Sequence, residues 1–338
     1  MKKDFITALR QRLNSPQKAV IIPHKNPDGD ALGSTLALMH FLQLEKHQAV
    51  IVSPNDYPKF LNWMPGQDQI LIHNESKELV QRKMDEATLI FTLDFNALGR
   101  IDQLGDLVSN ATAEKIMIDH HEAPEDYATL MYSDTRMSST CEMIYNLITT
   151  LNPNSINTEI ACCLYTGIMT DTGSFRYPST TADTHKAIAH LIEKGADGTA
   201  IHQKIYDSSS FNRLKLLGIA LSNLNRIGTL PIVYITLSQK ELNSCDYQKG
   251  DTEGFVNYGL SLEGVLFACI MIENEKEGKI KMSFRSKGSF SVNEFARTYF
   301  QGGGHLNAAG GMSTDSISET VERFHKGVAE VSSQFLKK

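Results

Sequence analysis

The sequence predicts an α/β protein: a mostly parallel sheet flanked by helices, then a helical connector, then a smaller α+β domain. Three observations carry this. Short apolar runs of strand type alternate with helical patterns or long connections in the first part of the chain. A stretch around 181–225 is helical and amphipathic, with no strand-like run. Beyond it, strand-like runs follow one another before two closing helices. The predicted divisions are 1–195 for the first domain, 196–226 for the connector and 227–338 for the second domain.

In order, "AVIIP" (19–23), "QAVIVS" (48–53), "TLIFTLD" (88–94) and "KIMI" (115–118) read as short buried strands. The run after residue 34, "TLALMHFLQL", is of helix type. "SSTCEMIYNLITTL" opens on a capping box, Ser139 and Glu142, before an apolar helix. "NTEIACCLYTGIM" is another buried helix. The connector holds "TADTHKAIAHLIEKG" and "FNRLKLLGIALSNLNRI". In the second domain "LPIVYITL", "GVLFACIMIE" and "KIKMSFRS" read as three strands. "SVNEFARTYF" and "ISETVERFHKGVAEVSSQFL" read as the two final helices. There is no internal repeat and no low-complexity segment.

The length of 338 residues exceeds what one core usually organises, which fits two domains. Hydrophobic residues at 41% and charged residues at 21% are ordinary for a globular chain. A net charge of −6 argues against wrapping a long duplex, which needs many basic contacts to phosphates. It leaves room for a nucleotide or short oligonucleotide, because bound cations can supply positive charge locally. "MKKDFITALRQRLNSPQ" has no apolar core of signal-peptide length, so no export is expected. No apolar run reaches membrane length. Cys141, Cys162, Cys163, Cys245 and Cys269 form no CxxC pair and read as reduced, buried thiols of a cytoplasmic protein.

The chemistry concentrates in four places. "HKNPDGD" puts His24, Asp28 and Asp30 where a strand hands over to a helix. Pro27 biases Asn26 toward an extended form, and Gly29 can adopt backbone angles closed to other residues. Together they can aim Asp28 and Asp30 at neighbouring but different points. Taken alone, Asp30 suits an N-cap and Asp28 a turn. Asp94 ends the strand "TLIFTLD", and Asp119, His120 and His121 end the strand "KIMI". Ligands of open parallel sheets bind beyond the carboxyl ends of strands, so three strands deliver ionisable groups to one edge. If "HH" continues its strand, His120 and His121 point to opposite sides, one toward metal and one toward substrate. A hydrogen-bonded surface turn is the plainer alternative. Asp171 in "TGIMTDTGSF" falls where an apolar helix should end. A carboxylate there faces the negative end of the helix dipole, which a nearby cation would make favourable; a loop Asp in a "DTG" turn is the alternative.

Asp28, Asp30, Asp94 and Asp171 with His24 and His120 suit two divalent ions sharing one carboxylate. Oxygen-rich ligation with some imidazole fits manganese (Mn2+), with Mg2+, Co2+ or iron as alternatives, and does not fit a thiolate zinc site. Two ions about 3.5–4 Å apart can generate a hydroxide and stabilise both oxygens of a displacement at phosphorus.

"HKNPDGD", the Asp of "TLDFNALGR", "IDHHEAP" and "TGIMTDTGSF", in this order, resemble the four motifs of the DHH phosphoesterase superfamily over roughly the first 200 residues. "MSFRS" and "GGGHLNAAGG" (302–311) make the second domain similar to DHHA1. The resemblance implies one manganese on His24, Asp28 and Asp94, and a second on Asp30, Asp94, His120 and Asp171, with Asp94 bridging. It implies that His121 contacts the scissile phosphate or assists the leaving oxygen, and that Asp119 orients its neighbours. Arg285, Ser286, Gly302, Gly303, Gly304 and His305 would bind substrate phosphate. A glycine run admits an anion to backbone N–H groups, Arg285 can fork onto a terminal phosphate and His305 can add a donor. A tight turn between helix and strand is the plain alternative for "GGGH", which lacks the strand–GxGxxG–helix context of a dinucleotide fold. Where the family often has a further glycine before this run, Gln301 stands. Arg100 reads either as a phosphate contact or as a surface salt bridge.

The whole chain is most similar to stand-alone DHH–DHHA1 enzymes of the nanoRNase/pAp phosphatase type. The implied activity is manganese-dependent hydrolysis of short RNA oligomers, dimers to pentamers, to mononucleotides. It includes removal of a phosphate from 3′-phosphoadenosine 5′-phosphate (pAp), with attack by a metal-bridging hydroxide. A phosphodiesterase for cyclic di-AMP or linear pApA is the nearest alternative. A family II inorganic pyrophosphatase has a different second domain, and a RecJ-type exonuclease needs further nucleic-acid-binding domains. A non-catalytic nucleotide sensor would be marked by lost metal ligands, and none is missing. No long duplex and no membrane are expected as partners, and a homodimer is left open.

Overall fold

A computed structural model describes residues 3–335. The chain divides into two compact units, Met1–Ser208 and Ser209–Lys338.

The first unit is built on six parallel strands: β1 (Lys18–Pro23), β2 (Gln48–Ser53), β3 (Leu71–Ile72), β4 (Leu89–Leu93), β5 (Glu114–Asp119) and β6 (Leu130–Ser133). Their order is β3-β2-β1-β4-β5-β6. The central strands are apolar on both sides because helices cover both faces, as a parallel sheet requires. On one face Ile21, Phe91 and Ile118 pack with α1 (Lys3–Arg12), α2 (Gly29–Leu44), α5 (Thr140–Leu151) and α6 (Thr158–Asp171). On the other, Val20, Ile22 and Ile90 pack with α3 (Lys77–Glu86) and α4 (Leu104–Asn110). α7 (Ala182–Glu193) and α8 (Gly198–Tyr206) join the first core through Leu191 and Ile201.

The strand order reverses between β1 and β4. The chain leaves β1 for α2 on one face and leaves β4 for α4 on the other, an arrangement that opens a crevice at the carboxyl ends of the two strands. Two glycines let α2, α5 and α6 come close together there. A Cβ at Gly33 would lie 2.6 Å from the Cys163 carbonyl oxygen, and one at Gly167 would lie 2.1 Å from Cys141 Sγ.

The second unit holds α9 (Phe211–Ser222), β7 (Leu224–Arg226), β8 (Ile232–Leu237), α10 (Gln239–Ser244), α11 (Phe255–Leu260), β9 (Phe267–Asn274), β10 (Lys279–Ser286), α12 (Val292–Tyr299), β11 (Gly303–His305), β12 (Ala308–Ser313) and α13 (Ile317–Val331). Its sheet has the order β11-β12-β10-β9-β8-β7. Only β8 and β9 run parallel within it. One face carries a phenylalanine-rich core, including Phe267, Phe284, Phe295 and Phe324, under α12 and α13. The opposite face of β8 and β9 is covered by α9, α10 and α11 through Leu216, Leu242 and Phe255.

Several details differ from the expectations. The three strands foreseen in the second unit are joined by β7, β11 and β12, and the first sheet also gains β3 and β6. The connector stretch forms no body of its own, since α8 packs into the first core and α9 into the second. Ser139 does cap α5, accepting from the Glu142 N–H at 3.0 Å. The Glu142 carboxylate does not complete the box; it accepts instead from the Ser138 and Thr184 hydroxyls. Leu336, the end of the predicted last helical run, lies outside the described residues. Among the described residues no helix is long and apolar enough to cross a membrane.

Candidate metal centre

His24 follows β1, and the next turn brings the chain into α2. Asp28 is the N-cap of α2: its Oδ1 accepts from the N–H groups of Asp30 at 3.0 Å and Ala31 at 3.1 Å. The cap is therefore Asp28 and not Asp30. The left-handed residue in this turn is Asn26, at φ 52°. Gly29 sits in the first turn of α2, and its requirement is space rather than unusual backbone angles. A Cβ there would lie 2.4 Å from Thr170 Oγ1.

Asp30 faces inward and is 1% exposed. Its carboxylate receives the N-terminus of α5, with Oδ2 accepting from Thr140 N–H at 2.7 Å and Oδ1 from Cys141 N–H at 2.8 Å. Asp94 follows β4 at φ 66° and is 2% exposed. Its Oδ1 accepts from the Thr140 hydroxyl at 2.9 Å and lies 3.5 Å from His120 Nε2. Its Oδ2 lies 3.5 Å from His24 Nε2. His24 Nε2 is also 3.9 Å from Asp28 Oδ2. His120 Nε2 is 3.4 Å from Asp171 Oδ2 and 3.8 Å from Asp30 Oδ2. Asp171 ends α6, as its apolar run foretold.

Both imidazoles are held by their other nitrogen. His24 Nδ1 lies 2.8 Å from the Lys25 carbonyl oxygen and His120 Nδ1 lies 3.2 Å from that of Met137. A ring that gives its Nδ1–H to a backbone carbonyl presents the Nε2 lone pair, the usual state of a metal-ligating histidine. His121 Nδ1 lies 2.7 Å from Asp119 Oδ1, and the His121 N–H donates to Asp119 Oδ2 at 3.1 Å. β5 ends at Asp119, so the two histidines do not alternate across a strand. Their rings meet edge-on at 75°, and His121 Nδ1 is 3.8 Å from Asp94 Oδ1, so both turn toward Asp94.

The donor set fits two divalent ions. His24, Asp28 and Asp94 offer atoms within 4.8 Å of one another, and so do Asp30, His120 and Asp171. Donors about 2.1 Å from one small cation sit roughly 3–4 Å apart. Protonation tells the same story. Burial alone would raise Asp94, but hydrogen bonding to His120 and His24 holds its carboxyl well below the usual range. Burial and the charges of Asp94 and Asp171 push Asp30 well above it. Burial lowers His120, yet Asp94 and Asp171 raise it well above the ordinary histidine value. Burial likewise opposes, and Asp94 and Asp28 outweigh it, to raise His24. Without a metal, this concentration of carboxylates holds protons where cations would be stronger partners.

In the second unit, Arg285 pairs across β10 and β12 with Ala308, and Ala308 pairs with His305 of β11. Paired residues share a face, so Arg285 and His305, distant in sequence, stand on one side of the sheet. The next row on that side is Ser283, Gly310 and Gly303, one small side chain and two glycines. Ser286 does not join them. It is buried, its hydroxyl donating to the Phe290 carbonyl oxygen at 2.7 Å and accepting from Asn307 Nδ2 at 2.8 Å. The glycine run is an edge strand and not an open cradle. A Cβ at Gly302 would lie 1.9 Å from the Gly310 oxygen, and one at Gly304 2.4 Å from the Ala308 oxygen. The N–H of Gly302 donates to Ala296 O at 3.1 Å and that of Gly304 to Asn293 Oδ1 at 3.0 Å, so both are spent within the fold. Gln301 stands at φ 47°, in the region that favours glycine. Arg100 makes no ion pair among the described residues, and its charge opposes protonation of His24.

Sequence reasoning missed Met137 and Thr140. "SSTCEM" was legible as a helix start, but nothing local shows that its N–H groups and the Thr140 hydroxyl reach Asp30 and Asp94, or that the preceding Met137 carbonyl holds His120.

The DHH family, N-terminal domain matches residues 18–168, and the DHHA1 domain matches residues 231–334. The chain is 30% identical to a probable bifunctional oligoribonuclease and PAP phosphatase NrnA of Streptococcus mutans, over 91% of this chain and 93% of that one. It is 26% identical to the cyclic-di-AMP phosphodiesterase GdpP of Geobacillus thermodenitrificans, over 95% of this chain but 48% of that one. Among solved structures, an exopolyphosphatase-related protein from Bacteroides fragilis is 39% identical, with a TM-score of 0.95 over 99% of this chain and 98% of that one.

Proposed function

We propose, from the premise that the chain belongs to the DHH family of phosphoesterases and carries a DHHA1 domain, that it hydrolyses short oligoribonucleotides to mononucleotides and removes a phosphate from pAp. The observation that carries this is Asp94, whose two oxygens face two separate histidine–carboxylate groups. His24, Asp28 and Asp94 would hold one divalent ion, and Asp30, Asp94, His120 and Asp171 the other, with manganese the best match to this donor set. Such ions, when bound, acidify water and neutralise charge growing on phosphoryl oxygens.

The chain's own residues do the rest. Asp119 holds the His121 ring by Nδ1 and so fixes its orientation, and His121 would contact the scissile phosphate or assist the leaving oxygen. Arg285 and His305 supply cationic and donor groups on one side of the sheet, suited to a substrate phosphate. Small residues in the adjoining row leave space beside them for a nucleoside.

Likeness to GdpP supports cyclic di-AMP as a second substrate class. The test is product analysis on 5′-labelled di- to pentanucleotides, with pAp and cyclic di-AMP in parallel, in the presence of manganese. Mononucleotides from the oligomers and phosphate from pAp, each at higher kcat/KM than turnover of cyclic di-AMP, are expected. Absence of both products overturns the proposal, and preferential turnover of the cyclic dinucleotide transfers it to the second class.

A further inference from the structure

We infer that Thr140 is a positioning residue: it fixes the plane of the Asp94 carboxylate and so decides which oxygen serves which half of the centre. The inference rests on the two-ion reading above. The side-chain torsion that turns a carboxylate is intrinsically soft, so an aspartate shared between two groups needs an outside restraint. Asp94 has its N–H on the Ile118 carbonyl oxygen at 3.2 Å, which fixes the backbone but not the carboxylate. The histidine nitrogens lie 3.5 Å from its oxygens for His24 and His120 and 3.8 Å for His121. The Thr140 hydroxyl is closer, donating to Oδ1 at 2.9 Å. That bond assigns Oδ1 to the His120 side and leaves Oδ2 to His24.

Thr140 is itself well placed to act as a fixed point. It is fully buried and is the first residue of α5. Its N–H donates to Asp30 Oδ2 at 2.7 Å, so one residue registers Asp30 against Asp94. The turn before it is tied down on both sides. Ser139 caps the helix, and the buried Glu142 carboxylate gathers the Ser138 hydroxyl and, at 2.9 Å, that of Thr184 from α7. The preceding Met137 carbonyl oxygen holds His120 Nδ1. Residues 137–142 therefore connect three of the candidate ligands through one helix start. Thr140 acts through Asp94.

The test is manganese binding, followed by the loss of the free-ion electron paramagnetic resonance signal, for the whole protein and for Thr140→Val, Thr140→Ser and Thr35→Val. Valine keeps the shape and removes the hydroxyl; serine keeps the hydroxyl. Thr35 is an equally buried threonine whose hydroxyl donates to the Ala31 carbonyl oxygen at 2.8 Å, and it controls for a general loss of packing or stability. Two ions per chain are expected for the unaltered protein. Thr140→Val should weaken binding about 10- to 100-fold, the usual effect of losing a group that orients a metal ligand. Thr140→Ser should restore it, and Thr35→Val should leave it unchanged. Unaltered binding in Thr140→Val, equal weakening in Thr35→Val, or failure of Thr140→Ser to recover it overturns the assignment. An unaltered protein that takes up no manganese overturns the two-ion reading and this inference with it, and is recognised before any variant is measured.

Discussion

Asp94 Oδ2 lies 3.5 Å from His24 Nε2, while the other oxygen of the same carboxylate faces His120 and the Asp30–Asp171 pair beyond it. One buried carboxylate thus stands between two histidines that arrive on different strands of a reversed-order sheet. Removing that carboxylate should disable both halves together. Asp94→Asn is expected to lower kcat by at least about 100-fold and to reduce manganese stoichiometry below two, measured on pAp and by equilibrium dialysis.

Metal uptake should release protons. His24 and His120 are both held above the ordinary histidine value of 6.5 in the metal-free protein, and Asp30 above its ordinary carboxyl value of 3.8. The metal-free folded state therefore binds more protons than the unfolded chain as pH rises from 6.5 through the raised histidine values. Stability falls with pH wherever the folded state holds the excess. The thermal midpoint of the metal-free protein should drop as pH increases above about 6.5, and saturating manganese should abolish most of that drop. Calorimetric titrations in buffers of different ionisation enthalpy should report protons released per ion bound. A midpoint that rises with pH in the metal-free protein would contradict the assigned directions.

The close approach of α2, α5 and α6 gives a prediction about stability. A Cβ at Gly167 would lie 2.1 Å from Cys141 Sγ and 2.9 Å from Asp30 Oδ1. Gly167→Ala should cost about 1–3 kcal/mol in chemical denaturation, as overpacked cores do. Because the added methyl presses on Asp30, manganese affinity should fall as well.

Gly302 and Gln301 should respond in opposite ways. Gly302→Ala places a Cβ 1.9 Å from a backbone oxygen of β12 and should destabilise the second unit. Gln301 already stands at φ 47°, so Gln301→Gly should be neutral or stabilising by up to about 1 kcal/mol. Denaturation midpoints of the two variants, measured side by side, check the pair.

Arg285→Ala should raise KM for short oligonucleotides about 10- to 100-fold with a smaller change in kcat, the scale of one charge-assisted bond to phosphate. Ser286→Ala should instead shift the unfolding midpoint, since its hydroxyl bridges Phe290 and Asn307 inside the fold. Steady-state kinetics together with thermal melts separate the two effects.

The four long strands of the first sheet were legible because each is a continuous apolar run, the mark of a strand buried on both faces. β11 and β12 were not, because "GGH" and "AAGGMS" carry no apolar run and pair through backbone proximity that only small residues allow. The candidate ligands were legible as four clusters in order, at strand and helix ends, although each taken alone also suited a cap or a turn. The division of labour among them was not. Asp28 rather than Asp30 caps α2, since capping depends on which carboxylate meets the free N–H groups and not on residue type. Thr140 stayed hidden because a threonine opening a helix looks alike whether its hydroxyl meets solvent or, 46 positions away in sequence, the Asp94 carboxylate.

The most direct measurement is anomalous diffraction at the manganese edge from crystals grown with the ion. Two peaks are predicted in the first unit, one bounded by His24, Asp28 and Asp94 and the other by Asp30, Asp94, His120 and Asp171, with Asp94 touching both. A single peak, or two peaks that share no Asp94 oxygens, would contradict the bridged centre.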